Sequence, residues 1–215
     1  MAENLFETQY DLTKKSKLKK FYDSYKIIIL SSLFILIILC GAFIYYTDSK
    51  ENKQISLSEN YLQAKIYLEA DNKDKAINLL KEVIFANDAT YSSLSLFLIM
   101  NQKLIIDHRE LSLLFDHLLK NNKFSKEVRN LLIYKKAILN SNFVDETELL
   151  ESIRPILNNE TLWQPHGLIL LGDYFVSKGE NIKAKEFYQK IFTIKNLHRD
   201  FYYHASSQLA MIGNE

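Results

Sequence analysis

Ile27–Tyr46 reads IIILSSLFILIILCGAFIYY and carries no charged residue. An α-helix rises ~1.5 Å per residue, so ~20 residues cover the ~30 Å hydrocarbon core of a bilayer. A helix also satisfies its own backbone N–H and C=O groups, which lipid cannot do. Residues 27–46 therefore read as a transmembrane helix. Ser31, Ser32 and Gly41 fit that reading, because small residues are common in membrane helices. Tyr22 and Tyr25 on one side, and Tyr45 and Tyr46 on the other, fit aromatic belts at the two interfaces. A buried core helix rarely runs this long without a charge. A cleaved signal has an apolar run of only ~7–15 residues and then a small-residue cleavage site. Here the exit is Tyr45-Tyr46-Thr47-Asp48. Leu39 is too bulky to precede a lipoprotein cysteine, so Cys40 reads as a small apolar residue in lipid.

Working outward, Lys14, Lys15, Lys17, Lys19, Lys20 and Lys26 face one acid, Asp23, before the run. Beyond it Asp48, Glu51 and Glu59 balance Lys50 and Lys53. The positive-inside rule places residues 1–26 in the cytoplasm and the rest across the membrane. The lysines also suit anionic headgroups. Leu5, Phe6, Tyr10, Leu18, Phe21 and Tyr22 suggest a short amphipathic helix leading into the span.

The net charge of +1 gives no reason to expect nucleic acid. One cysteine excludes a disulfide framework. Five glycines and two prolines in 215 residues disfavour a turn-rich sheet protein and favour long helices. Residues 47–55 read as a linker and 56–215 as one helical domain.

Within that domain apolar residues recur at helical spacing. Leu57, Tyr61, Ala64 and Leu68 mark one face, and Ile77, Leu80, Val83 and Ile84 a second. Leu94, Phe97, Leu98 and Ile99 suggest a third, although the run is apolar enough that a buried strand is also considered. Six further helices are centred on Leu114, Leu131, Leu150, Leu171, Tyr188 and Ala205. Asp145 and Glu148 are spaced as an N-cap and its return partner. Pro165 suits a first helical turn and Pro155 a last one. The breaks are short and polar: 71–73, 87–88, 121–122, 140–142, 158–159 and 178–180. Short connections make successive helices antiparallel neighbours. Alternate helices start near 57, 92, 127, 163 and 200, a step close to the ~34 residues of a tetratricopeptide repeat. The expected fold is all-α: one transmembrane helix, then an α-solenoid of tetratricopeptide-like helix pairs. The alternative is a plain bundle of evenly sized helices.

A tetratricopeptide pair needs a small residue where its helices cross, an aromatic three later and an alanine nine after that. Gly172, Phe175, Ala184 and Tyr188 meet that pattern, with Gly179 between the helices. Ala64, Tyr67, Ala76 and Leu80 repeat the offsets. In between the pattern decays, to Ile99, Leu111 and Phe115 and then Ala137, Leu149 and Ile153.

A basic tail, one membrane helix and a small repeat domain together resemble the bacterial family of ancillary subunits of the Sec translocon. Asn4-Leu5-Phe6-Glu7 and KLKKFYDSYK from Lys17 to Lys26 are similar to that family's lead segment. Trp163, Leu171-Gly172-Asp173 and Ala184 carry the resemblance in the domain. It implies an inner-membrane protein with a periplasmic domain, linked to protein export, the translocon and periplasmic chaperones.

The residues show no chemistry of their own. His108 and His117 would share a helix nine residues apart, about 900° of rotation at ~100° each, and so face opposite ways. No H-E-x-x-H, Gly-rich phosphate loop or G-x-S-x-G occurs. Neither a catalytic residue, a metal site nor a cofactor is expected. Asn159-Glu160-Thr161 fits a glycosylation sequon without consequence in a bacterial chain. Trp163 reads as helix-crossing packing. The expected function is a protein-binding module, whose partner lies along the first helices of the pairs. Repeat geometry aims Tyr61, Lys65, His166 and Asp173 at that groove. A scaffold for cell division or another envelope assembly is the alternative.

Overall fold

The computed structural model describes residues 17–157 and 161–213. The readings at Leu5, Phe6 and Tyr10, and the Asn159 sequon, lie outside those residues. All secondary structure among them is α-helical. Leu94–Ile99 is therefore helix, not strand. The chain divides into two units, Met1–Lys53 and Gln54–Glu215.

The first helix, α1, runs without interruption from Lys17 to Glu69. Residues 47–55, expected as a linker, are helical. Nothing there breaks a helix: no Gly or Pro occurs, and Lys50, Glu51, Lys53 and Gln54 are good helix formers. In the first unit the described large apolar side chains of residues 27–46 are all exposed, from Leu33 at 54% to Tyr45 at 78%. Ser31 and Thr47 turn their hydroxyls back to the carbonyls of Ile28 and Ile44, at 2.9 and 2.8 Å. Such back-bonding satisfies these two hydroxyls without water. Among the described residues this is the one helix long and apolar enough to cross a membrane.

In the second unit α2 (Lys73–Phe85), α3 (Ala89–Asn101), α4 (His108–Asn121), α5 (Lys126–Asn140), α6 (Glu146–Leu157), α7 (Gln164–Ser177), α8 (Asn181–Ile191) and α9 (Arg199–Gly213) follow the end of α1. From α2 onward each helix packs on its successor, and α2 with α4, α5 with α7 and α7 with α9 also meet. Asp88 caps α3 by accepting from the N–H of Thr90 and Tyr91, and Asp145 caps α6 through Glu148 N at 2.8 Å. Pro165 sits in the first turn of α7 and Pro155 in the last turn of α6, as their spacing predicts. Three odd-numbered helices stop in the same way. Asn72 N reaches Tyr67 O at 2.8 Å, Leu104 N reaches Ile99 O at 3.0 Å, and Glu180 N reaches Phe175 O at 2.9 Å. The residue before each donor, Asp71, Lys103 or Gly179, holds a left-handed φ. This is the terminator that satisfies a helix's last carbonyls and reverses the chain.

Two cores form. The front core gathers Ala64, Ala76, Leu80, Ile84, Leu96, Ile99, Phe115, Leu118 and Leu132. The back core gathers Ala137, Leu149, Ile153, Leu168, Leu171, Phe175, Ala184, Tyr188 and Ala205. Helix α5 serves both, turning Leu132 to one and Ala137 to the other.

Candidate partner-binding face

The packing residues read from the repeat pattern lie inside. Ala64, Ala76, Ala184 and Tyr188 are fully buried, Phe175 nearly so, and Tyr67 is half-buried with Lys75 Nζ 5.6 Å from its ring centre. Gly172 has a steric cause. A Cβ there would stand 2.4 Å from Cε1 of the Tyr188 ring, closer than any real contact. The ring of α8 thus lies directly on the backbone of α7, and only glycine leaves the room.

That contact positions a polar group. The Tyr188 hydroxyl, at the far edge of its buried ring, donates to Asp173 Oδ1 at 2.6 Å. Burial first, then this bond and the carboxylate's charge, push the phenol well above its ordinary pKa, so it stays a donor. His204 Nε2 on α9 lies 3.2 Å from the same Oδ1. Asp173 Oδ2 takes no hydrogen bond among the described residues. The Asp173 side chain remains 46% exposed.

Two helical turns before Asp173, His166 occupies the same face of α7. Its ring meets Trp163 at 4.9 Å, Tyr134 of α5 at 5.4 Å and Phe201 of α9 at 4.7 Å. Tyr134 also lies 5.7 Å from Trp163. All four rings are half-buried. Burial lowers the His166 pKa, opposed by the Leu162 carbonyl 3.3 Å from Nδ1, so its neutral form is favoured. Burial, with the Asp173 charge second, raises the Tyr134 phenol. The arrangement is an aromatic patch with a carboxylate beside it, drawn from α5, α7 and α9. It can hold a cation or hydrogen-bond donor at Asp173 and cover apolar surface at the rings.

Of the four residues expected to line a groove, His166 and Asp173 share one face of α7 with separate contacts, His166 with the rings of Tyr134, Trp163 and Phe201 and Asp173 with Tyr188 and His204. Tyr61 and Lys65 sit on α1, where Tyr61 meets Tyr91 of α3 at 6.4 Å and Lys65 is exposed. No described contact links that pair to the first. Sequence reasoning missed Tyr134, Phe201 and His204, and took Trp163 for packing alone. The intervals Trp163–His166 and His166–Asp173, three and seven residues, mark one helical stripe. They do not reveal which other helices meet it.

The other histidines have local roles. His108 stacks on Phe143 at 3.9 Å, and His117 meets Phe85 and lies 2.8 Å from Asn87 Oδ1. Among the described residues no three His, Cys, Asp or Glu side chains group as metal ligands.

No protein-family model, curated protein or solved structure matches the chain.

Proposed function

We propose that the chain is a membrane-anchored protein-interaction module, ancillary to the Sec translocon and to periplasmic chaperones in bacterial protein export. The apolar run of α1 spans the inner membrane. Its lysine-rich lead stays in the cytoplasm, and the helical domain stands in the periplasm as tetratricopeptide-like pairs. The observation that carries the reading is the bare apolar run in a chain whose other helices bury two cores of their own. The described large apolar side chains of that run are exposed, and lipid would cover them. The recurring Schellman-type terminators and the Gly172–Tyr188 contact support paired helices. The export role rests on the resemblance of the lead segment and the last pair. Tethering raises the domain's effective concentration near membrane partners.

The test uses a photocrosslinking amino acid in place of Lys65 or His166 in intact membranes. Adducts with translocon or chaperone components are expected. Their absence from both positions, with septal enrichment of a fluorescent fusion, would move the function to a division scaffold. Protection of residues 56–215 from protease in spheroplasts, but not after lysis, would reverse the topology and remove the periplasmic role.

A further inference from the structure

We infer that the α5–α7–α9 face takes a basic segment of its partner, with a lysine or arginine on Asp173 and the neighbouring stem or apolar side chain on the rings. This deepens the reading of the domain as a protein-binding module and rests on it. The first ground is charge. Asp173 is half-exposed, and no Lys or Arg pairs with it among the described residues. Its Oδ1 is held by Tyr188 and His204, which fixes the carboxylate and leaves Oδ2 without a hydrogen bond among the described residues. A carboxylate held still in this way loses little freedom on binding, and a charge-assisted bond to it is stronger than a neutral one.

The second ground is the surface beside it. Tyr134, Trp163, His166 and Phe201 offer contiguous half-buried rings. A lysine or arginine lays its aliphatic stem on such rings and is attracted to their faces. An acidic segment would meet Asp173 with like charge. A purely apolar one would strip water from that carboxylate without replacing its bonds. The basic side chain is the occupant that answers both features.

Trp163 is the only tryptophan in the chain, so its emission reports on this face. The full chain in nonionic detergent is titrated with acetyl-Ala-Lys-Leu-Lys-Ala-amide and with the same peptide carrying Glu for Lys. The lysine peptide is expected to change the Trp163 emission saturably, and the glutamate peptide to leave it unchanged. Asp173→Asn keeps an oxygen for Tyr188 and removes the charge, and should weaken lysine-peptide binding roughly threefold to fivefold. Added salt should weaken it in the wild type and much less in the variant. Equal response to both peptides, no response to either, or unchanged affinity in Asp173→Asn would each overturn the inference. Crosslinks from Lys65 or His166 would survive those outcomes, so failure here is separable from failure of the module itself.

Discussion

The front and back cores are built by different means. The front core is mainly aliphatic, Leu80, Ile84, Leu96, Ile99, Leu118 and Leu132 around Phe115, and its α3 buries three serines. Ser92 and Ser93 give their hydroxyls to the carbonyls of Val83 and Ala89, at 2.9 and 2.8 Å, while the Ser95 hydroxyl is buried without a partner. The back core sets a ring against backbone, Tyr188 on Gly172, and a ring against a ring, Phe187 stacked on Phe175 at 5.4 Å. Aliphatic side chains of similar volume substitute for one another with modest losses, so a helix period survives there while particular residues drift. A ring on a backbone has no such latitude. The repeat pattern is sharp at Gly172–Tyr188, where that ring lies on that backbone; it also holds at Ala64–Leu80 in the front core and is faint from Ile99 to Ile153, which belong to both cores.

Glycine tests the contrast most severely. Gly172→Ala should destabilise the domain by about 3 kcal/mol, the upper end for overpacking, read by chemical denaturation. Position 64, at the same repeat offset in front, already carries a methyl group, and Ala64→Gly should cost only about 1 kcal/mol from helix propensity and lost burial. Equal losses at the two would erase the distinction.

Next is the back core's buried hydroxyl. Tyr188→Phe removes the donor to Asp173 and should cost about 1.5 kcal/mol, since the acceptor is charged. Its front counterpart runs the other way. Ser95→Ala removes an orphan hydroxyl and should be neutral or stabilising by up to about 1 kcal/mol. A clear loss at Ser95 would mean that its hydroxyl has a partner and that the front core is as particular as the back.

The smallest effect is a pH dependence confined to the back half. The folded pKa of His166 lies below the ordinary 6.5, so the unfolded chain binds the proton more readily. Stability from this residue is complete above pH 6.5 and falls as pH drops toward the folded pKa. Thermal melts of wild type and His166→Phe should therefore diverge below that pH, with the wild type losing more. Parallel melts would refute the shift.

Much of the fold was legible in the sequence. Periodicity placed the helices of the domain. Asp145, Asn87, Gly179 and Pro165 marked their ends, because caps and left-handed residues act within a few positions of one another. The same locality explains one error and one point left open. Thr47–Ile55 read as a linker because its composition is polar, although no residue there interrupts α1. Leu94–Ile99 left strand open because a run apolar on all sides carries no period.

The candidate face was legible only in part. His166 and Asp173 share a stripe of one helix, which spacing reveals. Tyr134 of α5 and Phe201 of α9 lie more than thirty residues from His166 on either side, and His204 of α9 lies 31 residues beyond Asp173. Nothing local in those segments distinguishes them from other amphipathic positions. What the sequence determined by itself was the apolar run, the helical period and the helix ends, all governed by interactions between near neighbours along the chain. Only the tertiary structure decided that a buried phenol would hold Asp173 in place and that the rings of Tyr134, Trp163 and Phe201 would gather around His166 on the same face. Those contacts arise from how helices cross, and crossing depends on the shapes of both surfaces at once.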